Sequence, residues 1–172
     1  MGSITIINGD ITNSQTDAIV NAAKPSLEGG SGVDGAIHHA AGSQLLDECL
    51  QIPLTDGVRC PTGEARLTNA GNLPNHYVIH TVGPIYSEEK NPSFYLKMAY
   101  TKCIELAINH DCKSIAFPAI SCGKYGYPVS EASRIAIEAC LTFEEKDIDI
   151  YFYLMDTEAI SAFNLALQEI VQ

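Results

Sequence analysis

Short apolar runs alternate with segments of helical periodicity along the whole chain. Residues 4–8, 17–22 (DAIVNA), 65–68, 77–82, 114–117 and 148–155 are apolar runs bounded by Gly, Pro, Asn or Asp, the pattern of buried strands. Between residues 33 and 49 the apolar positions Val33, Ile37, Ala40, Ala41, Leu45 and Cys49 recur at helical spacing, which predicts one helix. Further helices are expected from Pro92 and Ser93 to about His110, over residues 130–143 with Ser130 as N-cap ahead of Glu131, and over residues 158–171. Six strands interleaved with four helices imply an α/β sandwich. In such folds ligands sit at the carboxyl ends of the strands. Two glycine-bearing loops fall at such ends, residues 24–32 (KPSLEGGSG) and residues 121–128 (SCGKYGYP).

Length and composition narrow the reading. The 172 residues suit one domain spanning 1–172, and such a chain buries about 70% of its unfolded surface without disulfide or metal staples. The formal charge is −11, from 10 Lys and Arg against 21 Asp and Glu. A nucleic-acid surface needs clustered positive charge, so none is expected. A small anion is a different matter, because backbone N–H groups and helix N-termini hold phosphate without basic side chains. The cysteines Cys49, Cys60, Cys103, Cys112, Cys122 and Cys140 form no CxxC or CxxxC pair, so zinc spacing is absent and reduced thiols are expected. Neither a secretory signal nor a membrane-spanning run is evident. The expectation is a monomeric cytoplasmic protein with no metal and no cofactor.

Each loop offers chemistry and a plainer alternative. Gly29, Gly30, Ser31, Gly32 and Val33 lead directly into a helix, whose unpaired N–H groups and partial positive charge suit a pyrophosphate. The alternative is an ordinary strand-to-helix connection. In the second loop Ser121, Cys122, Gly123 and Lys124 can reach a phosphate, and Tyr125 and Tyr127 can pack on a ribose or a base; otherwise it is a surface turn. Asp34 and His38 are spaced i,i+4 on one helix face. A carboxylate oriented by the imidazole can bind ribose hydroxyls or activate a water. Equally, Asp34 can serve the helix dipole with His38 as a packed neighbour. Asp10 can accept from an exocyclic amine or form an Asx turn. Asn21, at a strand end, can hydrogen-bond a ligand or the local backbone.

Taken in order, Gly9-Asp10-Ile11-Thr12, residues 17–23 (DAIVNAA), residues 29–38 (GGSGVDGAIH), Thr62-Gly63-Glu64-Ala65, residues 78–84 (VIHTVGP) and residues 117–128 (FPAISCGKYGYP) resemble a macrodomain of the MacroD type. That group includes bacterial O-acetyl-ADP-ribose deacetylases. The resemblance covers nearly the whole chain. It implies a three-layer α/β/α sandwich with a mixed six-stranded sheet. It also implies that Asp10 binds the adenine amine with Ile11 beside it, and that the loops at Gly30, Ser31, Gly32, Val33 and at Ser121 through Tyr125 wrap the diphosphate and the distal ribose. Asp34 and His38 match the family's catalytic pair, and Met155 aligns loosely with the position flanking the adenine.

Three departures from the family pattern stand out. Lys24 occupies the last position of the usual Asn-Ala-Ala-Asn, where the family has an amide that contacts the distal ribose. Ser31 replaces a glycine, and Cys122 replaces a threonine. The resemblance therefore implies ADP-ribose binding, with hydrolysis of O-acetyl-ADP-ribose or of ADP-ribose esters on acidic side chains of modified proteins. Lys24 keeps open the alternative of a reader that binds ADP-ribose without turnover.

Overall fold

The computed structural model describes residues 2–171. Its six strands are β1 (Ile4–Asn8), β2 (Ala18–Ala22), β3 (Ala65–Asn69), β4 (Tyr77–Thr81), β5 (Ser114–Phe117) and β6 (Asp149–Leu154). They form one sheet in the order β1-β6-β5-β2-β4-β3. Every pair is parallel except β3 with β4, where Ala65 faces Thr81 and Asn69 faces Tyr77 in antiparallel register. Five strands therefore run the same way, and their carboxyl ends share one edge of the sheet.

Strand alternation sorts the side chains into two cores. Ile19, Val78 and Ala116 face one side, and Ala18, Val20, Ile79, Ile115 and Phe117 face the other. Helices α1 (Gly32–Ala41) and α2 (Ser43–Leu50) cover the first side through Ile37, Ala41, Leu45 and Cys49. Helices α3 (Pro92–Asn109), α4 (Val129–Leu141) and α5 (Thr157–Val171) cover the second. There Tyr100, Phe117, Phe152 and Phe163 pack into a wholly buried aromatic cluster in which Phe117 and Phe152 stack. The molecule is the expected three-layer α/β/α sandwich. No helix among the described residues is long and apolar enough to cross a membrane.

Two expectations are corrected. The single helix over residues 33–49 is two helices, divided at Gly42, whose φ of 86° and ψ of 177° break the helical path. A residue with a Cβ rarely adopts that φ, so the glycine marks the break. Both helices keep their apolar faces on the same core, which is why the periodicity runs through unbroken. The helix expected at Ser130 starts one residue earlier. Pro128 is its N-cap, and no side chain caps it.

Candidate functional site

A cavity of about 690 Å³ opens where the five parallel strands end. That lies within the roughly 300–1,000 Å³ range of small-molecule sites. Its walls follow from the topology. Gly9 and Asp10 come after β1, Ala23 and Lys24 after β2, Gly83 after β4, Pro118 through Tyr125 after β5, and Met155 and Asp156 after β6. The chain supplies the first turn of α1 as well, through Gly32, Val33 and Asp34. Ser31 is the N-cap of α1 but makes no side-chain capping bond. The first N–H groups of the helix are thus directed at the cavity without a capping side chain, as an anion-binding terminus requires.

The opposite wall is a tied loop. Ser121 has φ of 67°, unusual for a residue with a side chain. Its hydroxyl donates to the Pro84 carbonyl at 2.8 Å, and its carbonyl accepts from the Tyr127 N–H at 2.9 Å. The Tyr86 N–H donates to the Tyr125 carbonyl at 2.9 Å. Residues 121–125 are thereby held against the segment after β4. Tyr125 lines the cavity, whereas Tyr127 turns into the core and packs edge-on against Tyr86. The expectation that both tyrosines face a ligand is corrected to one. Cys122 lines the cavity, but burial pushes its thiol up to about 12, so it is not a nucleophile at neutral pH.

Asp34 is the centre of the polar arrangement. It is 4% exposed although its carboxylate borders the cavity. Its Oδ1 accepts from Asn21 Nδ2 at 2.9 Å, and His38 Nε2 stands 3.5 Å from the same oxygen. Its Oδ2 is buried and has no protein partner among the described residues. A Cβ on Gly30 would lie 3.0 Å from that Oδ2, 3.1 Å from Lys24 Cε and 3.3 Å from Lys24 Nζ. Lys24 thus reaches over the cavity wall to the vicinity of Asp34, yet forms no ion pair with it. Asp10 shows both of its anticipated features. Its Oδ1 accepts from the Thr12 N–H at 2.9 Å and from the Thr12 hydroxyl at 2.8 Å, an Asx turn, while the residue also lines the cavity.

Of the candidate site residues singled out from the sequence, Asn21, Gly29, Gly30, His38 and Tyr127 do not border the cavity, and the others do. Asn21 is wholly buried and acts on Asp34 rather than on a ligand. His38 lies behind Asp34, on the wall of a separate surface cavity. Sequence reasoning missed His80. This residue is wholly buried on β4, where Nδ1 meets Asn21 Nδ2 at 3.2 Å and Nε2 meets the Thr68 hydroxyl at 3.0 Å. Asn21 offers only N–H donors from that nitrogen, so His80 Nδ1 accepts and Nε2–H donates to Thr68. The chain Thr68–His80–Asn21–Asp34 fixes the carboxylate from below. Its only sequence signal is an imidazole inside the apolar run VIHTV.

Burial, reinforced by the nearby His38, lowers the His80 pKa to about 3. The unfolded chain then binds a proton near pH 6.5 that the folded chain refuses, so stability falls as pH drops below 6.5 towards 3. The slope from this group is at most about 1.4 kcal/mol per pH unit. Urea unfolding between pH 7 and 5 is expected to show this loss, and His80→Gln to lack it. An equal pH dependence in both proteins would mean that His80 is not held neutral.

The fold and cavity define an α/β domain with an open cavity and an uncapped helix N-terminus at the ends of its parallel strands. The macro domain model matches residues 20–136. A macro domain-containing protein of Vibrio parahaemolyticus is 48% identical over 169 residues, covering 98% of this chain and 99% of its own. An O-acetyl-ADP-ribose deacetylase of Citrobacter rodentium is 46% identical over 170 residues, covering 96% of each. The Oceanobacillus iheyensis macrodomain with ADP superimposes with a TM-score of 0.92 at 40% identity, covering 96% of this chain and 90% of that one. This chain belongs to the macro domain family.

Proposed function

We propose that this macrodomain binds ADP-ribose in the strand-end cavity and hydrolyses esters formed on its distal ribose. The substrates are O-acetyl-ADP-ribose or ADP-ribosyl esters on acidic side chains of modified proteins. The observation that carries the reading is Asp34, with one carboxylate oxygen clamped by Asn21 and the other buried and unpartnered beside the cavity. A solved Trypanosoma brucei macrodomain in complex with ADP-ribose, with a TM-score of 0.84 and 38% identity over 95% of this chain and 68% of that one, supports the choice of ligand. The deacetylase relative supports the choice of reaction.

The diphosphate takes the α1 N-terminus and the loop at Ser121 through Tyr125, where backbone donors offset its charge. Asp10 Oδ2 accepts from the adenine amine at the β1 end, with Ile11 and the exposed Met155 at that rim. Asp34 Oδ2 accepts a hydrogen from a water, which adds to the ester carbonyl carbon. The carbonyl–ribose C–O bond then breaks, and the ribose oxygen leaves with a proton. The products are a carboxylic acid and ADP-ribose. Asn21 and His38 position Asp34 and touch neither substrate nor water. The reaction needs no metal or cofactor in this scheme, and the protein works as a monomer in the cytoplasm.

One observation favours the reader instead: the Lys24 ammonium lies close to the free oxygen of Asp34. Comparing O-acetyl-ADP-ribose hydrolysis by the wild type and by Lys24→Asn separates the two. The hydrolase reading expects clear wild-type turnover and a change of less than about tenfold, or 1.4 kcal/mol, in the variant. An inert wild type that gains about 10² or more on substitution would make the protein a reader.

A further inference from the structure

The polar cluster beneath Asp34 has a second face. His38, Cys49 and His80 come from α1, α2 and β4, and one ring nitrogen of each histidine lies with Cys49 Sγ in a group whose members are all within 4.8 Å of one another. Cys49 Sγ and His80 Nε2 are 3.6 Å apart. Two ligands of a tetrahedral zinc, with Zn–S about 2.3 Å and Zn–N about 2.0–2.1 Å, stand roughly 3.5 Å apart. That edge of a coordination tetrahedron is therefore already set. Packing sets it, since Cys49 and His80 are both wholly buried. His38 Nε2 is buried and lacks a hydrogen-bond partner among the described residues.

One member of the cluster also reaches the surface. His38 borders a surface cavity of about 370 Å³, together with Glu28, His39 and Ser43. This cavity shares no lining residue with the one at the strand ends. Of the three residues only His38 borders this cavity; Cys49 and His80 are wholly buried. Two imidazoles and a thiolate are the donor set of a borderline-soft ion, not of magnesium or calcium.

We infer that His38, Cys49 and His80 form a binding site for a thiophilic divalent cation, Zn²⁺ fitting best, reached from the rear of the protein and lying behind Asp34. A carboxylate oxygen, Asp34 Oδ1, stands 3.5 Å from His38 Nε2. With the Cys49 thiolate it neutralises the ion's charge. Burial, with the charges of Asp34 and Glu48, pushes the Cys49 thiol up to about 11, so the ion displaces a proton and binds more tightly as pH rises.

Occupancy rearranges the support of Asp34. Coordination through His80 Nε2 moves the ring proton to Nδ1, which now donates. Asn21 must then turn its Oδ1, at present unpartnered, towards His80. Its N–H groups leave both Asp34 and His80. Zn²⁺ therefore inhibits hydrolysis from a site that does not overlap the ADP-ribose cavity. This coupling rests on the proposed hydrolase function; the cation site itself does not.

The test is titration of metal-stripped protein with Zn²⁺ in competition with a chromophoric chelator, without ADP-ribose. One equivalent is expected in the wild type, weakened at least about tenfold, or 1.4 kcal/mol, in Cys49→Ser and in His38→Gln, and unchanged in Cys112→Ser. Co²⁺ is expected to give a thiolate-to-metal charge-transfer band that Cys49→Ser lacks. His38 is partly exposed, so its variant keeps the test alive if the buried Cys49→Ser misfolds. No bound equivalent, or equal affinity in wild type and His38→Gln, would overturn the site. Ester hydrolysis with saturating Zn²⁺, each protein compared with its own metal-free rate, should fall at least about tenfold in wild type and not in Cys49→Ser. Zn²⁺ binding without that loss would overturn the coupling.

Discussion

Asp34→Ala should lower ester hydrolysis by about 10²–10⁴ while leaving the fold intact, because a positioned acid–base group contributes on that order. The side chain is buried, but its removal does not strand a charge. Asn21 loses one acceptor and retains His80 Nδ1. The thermal midpoint should therefore move little, and ADP-ribose should still bind through the helix terminus and the Ser121 loop. Single-turnover kinetics with O-acetyl-ADP-ribose, beside a melting curve of the same sample, measure both. Unchanged turnover would remove Asp34 from the mechanism. Loss of turnover together with loss of folding would assign it a structural role instead.

The second large effect is expected at Gly83, where space is limiting. A Cβ there would stand 2.2 Å from Ser121 Oγ and 2.5 Å from Ile120 Cγ2. Neither neighbour is a loose end. Ser121 is tied to Pro84, and Ile120 is wholly buried. Gly83→Ala must push the Ser121 loop away from the segment that anchors it, an overpacking cost of about 1–3 kcal/mol. Because that loop forms a cavity wall, ADP-ribose affinity should fall by about tenfold or more, each 1.4 kcal/mol being a factor of ten. Gly123 in the same loop provides the contrast. An added Cβ there meets nothing within 4 Å, so Gly123→Ala should melt like the wild type. Calorimetry and thermal unfolding of the two variants test the pair. A wild-type affinity and midpoint in Gly83→Ala would show that the loop is not held where the close approach puts it.

Much of this site was readable from residues alone, because its chemistry is local. The glycine loop before α1, the Ser121–Tyr125 segment and the i,i+4 pair of Asp34 and His38 each lie in one short stretch of sequence, and the strand-end position follows from the alternation of elements. Features that depend on distant segments were not readable. Gly42 divides α1 from α2 without disturbing the apolar spacing, since both helices face the same core. Asn21 sits at the end of β2 in reach of a ligand by sequence, yet its side chain points beneath Asp34. His80 belongs to a chain of hydrogen bonds joining β2, β3, β4 and α1, and within its own strand it reads as one more core position. Small cavity-lining residues such as Ala22, Ala36 and Ala159 carry no functional group to reveal them. Cys49 shows no metal-ligand spacing in the sequence, because its neighbours His38 and His80 arrive from two other elements.

The central claim is that the strand-end cavity is an ADP-ribose site. Calorimetric titration of the purified protein with ADP-ribose tests it most directly. The account predicts saturable binding of one ADP-ribose per chain, weakened in Gly83→Ala and retained in Asp34→Ala. Absence of binding by the wild-type protein would contradict it and leave the cavity without its proposed ligand.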